Sequence, residues 1–298
     1  MNKFSYILIT AAKNEEAYIE KTIQSVIAQT VPPQKWVIIS DGSTDRTEEI
    51  VSQYAAKYDF IELLRAAAGE QRNFGSKAKA ITAGYERVRS IDHEYVGILD
   101  ADVSFSPTYY ESIMQKFEQN PKLGIAGGIL FDRRKEKYIK QRTSTNWSVS
   151  GPIQMFCREC YEQIGGYLPV RGGVDAVAEV MARMKGWEVR AFTEIHVFHH
   201  RPTGAEKGSK WVIWFNRGVE DYLLGYHFVF VLARCIFRVI ERPYLFGGLA
   251  MLCGYCWSWI RRTKRQVSSE FVQYLRREQM NRLRSLLHLE PCKRKWIL

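Results

Sequence analysis

Short apolar runs alternate with amphipathic segments through the first half of the chain, and that alternation most narrows what it can fold into. The runs Tyr6–Thr10, Trp36–Ser40, Ile61–Arg65, Tyr95–Leu99 and Leu123–Gly128 are largely apolar and bounded by polar or glycine-containing segments. Strands buried on both faces of a sheet read this way. Between them, Glu16–Ala28, Thr44–Tyr58, Asn73–Val88 and Pro107–Gln119 predict helices. The second has Ser43 or Thr44 near its start and Asp45, Glu48 and Glu49 in its first turns; the last is opened by proline. Strand–helix alternation with short connections predicts an α/β fold with a doubly wound, mostly parallel sheet. Lys3 and the apolar Phe4–Ala12 imitate a short signal peptide. Lys13-Asn14-Glu15-Glu16 and a helical pattern follow at once, so a first strand is the expectation.

After Gly128 the alternation breaks. Arg133-Arg134-Lys135-Glu136-Lys137 reads as a solvated, mobile loop. A strand at Ile153–Cys157, a short helix to Ile164, the turn Gly165-Gly166 and a helix at Asp175–Lys185 are expected next. Strands at Trp187–Phe192 and Ile195–His199 complete this body.

Charge divides the chain. Residues 1–200 carry 25 basic and 25 acidic side chains, whereas residues 201–298 carry 18 and 7 and so hold the whole net charge of +11. A neutral body with a basic tail places any polyanionic partner at the tail. That tail is also apolar. Residues 243–260 contain no charged side chain, cluster Tyr255, Trp257 and Trp259, and run into Arg261-Arg262-Thr263-Lys264-Arg265. This stretch is at the lower limit for spanning a bilayer, and its aromatic and arginine flank matches a membrane interface. The preceding run, Tyr222–Ile240, carries Arg234 and Arg238, which favours a helix lying in the interface. No zinc-finger spacing, RNA-recognition signature or basic heptad accompanies the charge, so nucleic acid is not the expected partner. The expected division is therefore a catalytic body over 1–205 and a helical membrane-associated region over 206–298.

Six cysteines include two C-x-x-C pairs, Cys157/Cys160 and Cys253/Cys256, with Cys235 and Cys292 besides. A zinc site would have to join the body to the apolar tail. Reduced thiols in the cytosol are the expectation.

Asp100-Ala101-Asp102 closes the apolar run Tyr95–Leu99. Open α/β sheets bind ligands beyond the carboxyl ends of their strands. Two carboxylates held together there raise each other's pKa unless a cation intervenes. A hard divalent ion relieves the repulsion and bridges to phosphate. An acidic strand end facing solvent is the plainer alternative. Asp41-Gly42-Ser43-Thr44-Asp45 follows Trp36–Ser40 in the same position; its glycine allows a tight turn, and its carboxylate can accept a base N–H or serve in capping.

Taken in order and spacing, Thr10-Ala11-Ala12-Lys13-Asn14-Glu15-Glu16, Ser40-Asp41-Gly42-Ser43-Thr44-Asp45 and Leu99-Asp100-Ala101-Asp102 resemble the family-2 glycosyltransferases of GT-A fold. The resemblance covers roughly residues 4–200 and is carried by the ordered set rather than by any one motif. It implies a nucleotide-sugar donor, a Mg²⁺ or Mn²⁺ ion and inversion at the anomeric carbon. By this resemblance Thr10 and Ala12 line the nucleotide pocket, Asp41 reads the base, Asp100 contacts ribose or metal, and Asp102 ligates the metal. Arg72, Asn73, Gly75 and Lys77 fall where the family places a basic, glycine-containing segment near the nucleotide, with helix capping an equal alternative for Asn73.

The family's acceptor motif, Gly-Gly-Glu-Asp, is matched by Gly172-Gly173-Val174-Asp175. Asp175 corresponds to the general base, and Val174 departs from the pattern. Glu179, one helical turn on, is a reserve for the base role. His199 or His200 is a candidate metal ligand, and strand geometry lets only one face the site. Arg201 is a candidate to neutralise the leaving diphosphate. The Gln-x-x-Arg-Trp signature of processive synthases is absent from the sequence. The expectation is an enzyme that adds one sugar to a glycan or lipid-linked acceptor, at the cytoplasmic face of the cell membrane, in polysaccharide or cell-envelope synthesis. The alternatives are a non-catalytic scaffold that binds nucleotide-sugar in a polysaccharide-assembly complex, and a nucleotidyltransferase. The latter normally shows a Gly- and Arg-rich loop where this chain has Ala11-Ala12-Lys13-Asn14.

Overall fold

A computed structural model describes residues 3–66, 75–134, 137–141, 145–201, 209–237 and 246–286. The chain divides into two compact units: Met1–Val170 with Val174–Ala205, and Arg171–Gly173 with Glu206–Leu298.

The first unit holds β1 (Tyr6–Ala12), α1 (Ile19–Ile27), β2 (Lys35–Ser40), α2 (Thr47–Ala55), β3 (Ile61–Arg65), α3 (Ser76–Val88) and β4 (Tyr95–Leu99). It continues with β5 (Val103–Phe105), α4 (Tyr109–Gln119), β6 (Leu123–Arg134), β7 (Lys137–Lys140), β8 (Ile153–Cys157), α5 (Arg158–Ile164), α6 (Val174–Met184) and β9 (Glu188–His199). One sheet runs in the order β3-β2-β1-β4-β8-β6-β9-β5, with β7 paired to β6. Its β3-β2-β1-β4 half is parallel, and Tyr6, Ile7, Leu8 and Ile9 of β1 are wholly buried, as expected of strands covered on both faces.

The other half departs from the doubly wound expectation. β8 enters antiparallel between β4 and β6, β6 and β9 are parallel, and β5 returns antiparallel on β9. The sheet is mixed. The insertion of β8 positions the site, because Asp100 N–H, just past β4, donates to Pro152 O at 2.9 Å.

Two further expectations are corrected. The charged stretch from Arg133 is not a loop throughout: β6 runs on to Arg134, and β7 pairs back with Arg133 opposite Tyr138. Charge hid this hairpin, since all four β7 residues are exposed, yet the Tyr138 ring packs on Phe198 with centroids 4.8 Å apart. The two strands expected over 187–199 are one strand, β9, whose ladder with β6 carries register shifts that interrupt its alternation.

The second unit contains α7 (Lys210–Leu223), α8 (Phe228–Phe237), α9 (Phe246–Ile260) and α10 (Ser269–Leu286). Its core gathers Tyr222 from α7, Val231 and Cys235 from α8, and Met251 and Tyr255 from α9. Among the described residues no helix is long and apolar enough to cross a membrane. Residues 238–245, which include Arg238 and the start of the uncharged run, lie outside the described residues, as does Cys292. The other five cysteines are free thiols.

Candidate active site

The loops leaving β1 and β2 are laced together by the residues of their two motifs. Asn14 Oδ1 accepts Thr44 N–H at 2.8 Å, and Asn14 N–H donates to Ser43 Oγ at 3.2 Å. Glu15 N–H donates to Thr47 Oγ1 at 2.7 Å, and Glu16 N–H to Asp45 Oδ2 at 3.1 Å. Asn14 adopts a positive φ of 55°, a conformation asparagine tolerates better than most residues. The lacing fixes the rim on which Asp41 and Glu15 sit. Asp41 N–H donates to Ala12 O at 2.9 Å, so the ends of β1 and β2 stay adjacent. Thr10, by contrast, is wholly buried, and its Oγ1 accepts Trp36 Nε1–H at 3.0 Å. Its hydroxyl belongs to the core and is not open to a ligand.

Beyond β4, Asp102 is 7% exposed. Its Oδ2 lies 3.3 Å from His199 Nε2 and 3.4 Å from Arg201 Nε, while its Oδ1 is buried with no hydrogen-bond partner. His199 is wedged between two carboxylates, with Nδ1 3.0 Å from Asp132 Oδ1. Burial alone would lower the His199 pKa, but Asp102 and then Asp132 outweigh it and take it up to about 9. Adjacent His200 has both ring nitrogens engaged, Nδ1 with Tyr138 Oη at 3.0 Å and Nε2 with Ser104 Oγ at 2.9 Å. The structure thus separates the two histidines: His199 faces Asp102, and His200 braces the strands around it.

Arg201 also donates to Glu15, and its guanidinium lies 5.5 Å from the Tyr18 ring centroid. Burial first, then the nearby Asp102, raises the Glu15 pKa to about 7 against the opposing effect of Arg201. On the first turn of α3, Lys77 Nζ lies 2.5 Å from Asp100 Oδ1. Burial would lower the Lys77 pKa, but the fields of Asp100, Asp175 and Asp102 hold it above its ordinary value. Arg72 and Asn73 lie outside the described residues.

Asp175 is the second residue of α6. A Cβ at Gly151, just before β8, would stand 2.7 Å from Asp175 Oδ2, so only glycine fits against this carboxylate without displacement. Glu179, one turn on, faces the interior. Its Oε1 accepts Val149 N–H at 2.6 Å and Ser148 Oγ–H at 3.2 Å, and Oε2 lies 3.6 Å from Arg183 Nη1. Gln154 Nε2 reaches Glu179 Oε1 and Asp175 O, each at 3.4 Å, while its Oε1 accepts Tyr167 Oη–H at 2.5 Å. Burial raises the Glu179 pKa to about 7. Glu179 therefore holds the 148–149 backbone and does not present its carboxylate to an incoming hydroxyl.

Among the described residues no three His, Cys, Asp or Glu side chains form a ready metal cage. The donor set still suits a hard divalent ion that takes one or two protein ligands and completes its shell with phosphate and water. The unpartnered Asp102 Oδ1 is the observation that favours this fit. Sequence reasoning singled out Asp102 and Asp175 but gave no role to Asp132, Glu15, Gln154 or Gly151. Only Glu15 stood inside a quoted motif.

Residues 7–167 match the family model described as Glycosyl transferase family 2. Poly-beta-1,6-N-acetyl-D-glucosamine synthase of Staphylococcus epidermidis is 32% identical over 149 residues, covering 49% of this chain and 34% of the relative. The same-named protein of Staphylococcus aureus strain COL is 34% identical over 122 residues, covering 40% of this chain and 27% of the relative. The matches thus span about a third of those relatives' length or less. Among solved structures, the mannosyltransferase PcManGT from Pyrobaculum calidifontis, in complex with GDP-Man and Mn²⁺, aligns with a TM-score of 0.57 at 16% identity, over 95% of this chain and 81% of that one. Staphylococcus aureus TarS 1–349 aligns with a TM-score of 0.54 at 15% identity, over 95% and 86%. At these identities the likeness is one of fold.

Proposed function

The chain belongs to glycosyl transferase family 2, and from that premise we propose that it transfers one sugar from a nucleotide-sugar donor to an acceptor hydroxyl with inversion at the anomeric carbon. The observation that carries this reading is the line Asp132–His199–Asp102, set beside the Lys77–Asp100 pair at the carboxyl ends of β4, β6 and β9. Asp102 and His199 would hold a Mg²⁺ or Mn²⁺ ion, and Asp132 would fix the tautomer and orientation of the His199 ring. Such an ion, when bound, supplies positive charge that stabilises a departing nucleoside diphosphate.

The remaining work falls to the chain's own groups. Asp41 accepts a hydrogen bond from the base, and Asp100, paired with Lys77, meets the ribose. Arg201, which contacts Glu15 and Asp102, takes up charge on the leaving diphosphate. Asp175 accepts the proton as the acceptor oxygen bonds to the anomeric carbon and the bond from that carbon to the diphosphate breaks. The lack of a side chain at Gly151, where a Cβ would meet Asp175 Oδ2 at 2.7 Å, supports this role for the carboxylate.

The acceptor is a glycan or lipid-linked saccharide of cell-envelope synthesis, and residues 206–298 hold the enzyme at the cytoplasmic face of a membrane. The relatives' names support the glycan class, and TarS 1–349 has a structure in complex with UDP-GlcNAc, which puts that donor first. A panel of UDP-, GDP- and dTDP-sugars tests the proposal, with a crude lipid extract as acceptor and nucleoside diphosphate as the product measured. Release from one donor with transfer to the extract is expected. Donor binding without release from any of them would favour a scaffold, and pyrophosphate as product a nucleotidyltransferase.

A further inference from the structure

The second unit wears its apolar side chains outward. All of the large apolar side chains exposed among the described residues, apart from Tyr138, Ile139 and Leu286, fall between Trp211 and Ile260. On α8 they form a stripe, Phe228, Val229, Leu232 and Ile236, at the spacing of one helix face. The charged residue of that helix points the other way. Arg234 is turned inward, with Nη1 2.9 and 3.0 Å from the two carboxylate oxygens of Asp221. A helix facing water would show the guanidinium and bury the isoleucine. α8 does the reverse.

α9 repeats the pattern. Phe246, Leu249, Trp257, Trp259 and Ile260 are exposed, while Gly247 and Gly254 face α7 and Gly248 faces α8. A Cβ at Gly254 would collide with Phe215 O, and one at Gly218 of α7 with Met251 O. The two backbones touch through glycine, the packing that helices adopt where the surroundings are already apolar. Arg261, Arg262, Lys264 and Arg265 follow α9, all exposed, and the Arg261 guanidinium lies 4.2 Å from the Trp257 ring centroid. No acidic residue interrupts Arg261–Ser268.

We propose that the outward faces of α8 and α9 insert into one leaflet of an anionic bilayer as a monotopic anchor, with Arg261–Arg265 among the headgroups. This rests on the reading that the C-terminal region meets a membrane, and adds which face enters, how deep, and what lipid charge it needs. At about 1.5 Å per residue the 10 described residues of α8 and the 15 of α9 fall short of a hydrocarbon core about 30 Å thick. Short helices whose outward side is apolar and whose other side packs on the protein lie instead at the boundary of headgroup and acyl chain. A second copy of the chain is the poorer partner, because residues 201–298, with 18 basic and 7 acidic side chains, offer Arg261–Arg265 little counter-charge. An anionic leaflet complements both features.

The test uses the full-length protein and vesicles of phosphatidylcholine with or without phosphatidylglycerol. Flotation with phosphatidylglycerol vesicles is expected, reduced at least tenfold in Leu232→Asp and Ile236→Asp. Both substitutions point into solvent, so an unchanged circular dichroism spectrum and melting temperature is expected. Replacing Arg261, Arg262, Lys264 and Arg265 with glutamine should remove the preference for phosphatidylglycerol. Fluorescence of Trp257 and Trp259, isolated by comparison with Trp257→Phe/Trp259→Phe, should be quenched more by bromine near the headgroup than near the chain end. Flotation that survives both aspartate variants would overturn this anchor and leave the membrane reading standing. Stronger quenching from deep bromine would also overturn it. No flotation at any composition, with self-association abolished by the same variants, would overturn both in favour of a second copy.

Discussion

Asp132 and His199 are register partners in the β6–β9 ladder, and their side chains meet at 3.0 Å. The pairing turns the Nε2 edge of the imidazole onto Asp102, 3.3 Å away. A buried carboxylate behind a histidine is the arrangement that fixes which ring nitrogen stays open to a cation. Here the strand register builds it.

If this line holds a divalent ion, its members are separable by affinity. His199→Ala and Asp102→Ala should abolish measurable Mn²⁺ binding in the presence of nucleoside diphosphate. Asp132→Asn should weaken it about 10- to 100-fold, the usual cost of losing such a support. His200→Ala should change it by much less, since its ring nitrogens serve Tyr138 and Ser104. Titration followed by Mn²⁺ paramagnetic resonance distinguishes these, and equal losses for His199→Ala and His200→Ala would refute the assignment.

Gly151 gives a test that removes no polar group. Gly151→Ala puts a methyl 2.7 Å from Asp175 Oδ2, closer than van der Waals contact allows. The carboxylate must move, and a displacement near 1 Å at a reacting group can cost on the order of 10²-fold in rate. We expect kcat to fall about that far with donor affinity unchanged. A matching loss of donor affinity would mean that the segment serves nucleotide binding instead.

Glu179 predicts a stability profile. Its pKa stands at about 7 in the folded chain against an ordinary value of 4.5. Across that interval the folded chain keeps a proton that the unfolded chain has released. Stability therefore falls as pH rises from about 4.5 to about 7 and stays at the lower level above it. The effect is at most about 3 kcal/mol. Glu179→Gln cannot titrate, so its melting temperature should rise relative to wild type between pH ~5 and pH ~8. Because Glu179 does not face the acceptor, the variant should also retain turnover. Parallel melting profiles would remove the basis for this behaviour.

The parallel half of the sheet was legible because β1, β2 and β4 are apolar runs whose burial needs no partner to be named, with β3 following from the alternation around it. Asp102 and Asp175 were singled out through the order of the motifs around them. The choice between His199 and His200 was not, since which neighbour faces the site depends on a register that only the β6–β9 pairing sets. Asp132 was hidden for a related reason: the charged residues after it read as a loop, while the strand runs on to Arg134. The core position of the Thr10 hydroxyl was not legible, because the hydrogen bond that occupies it comes from Trp36 on the neighbouring strand. Glu179 has the spacing of a reserve base, and only the contacts with Val149 and Gln154 reveal that it faces inward.

The most direct measurement compares wild type, Asp102→Ala and Asp175→Asn for donor binding and for nucleoside-diphosphate release, with and without Mn²⁺. The account predicts metal-dependent release by the wild type. Asp102→Ala should lose both metal-dependent binding and release, whereas Asp175→Asn should keep donor affinity and lose about 10²- to 10⁴-fold in turnover. Wild-type turnover by Asp175→Asn, or release by Asp102→Ala that still responds to Mn²⁺, would contradict it.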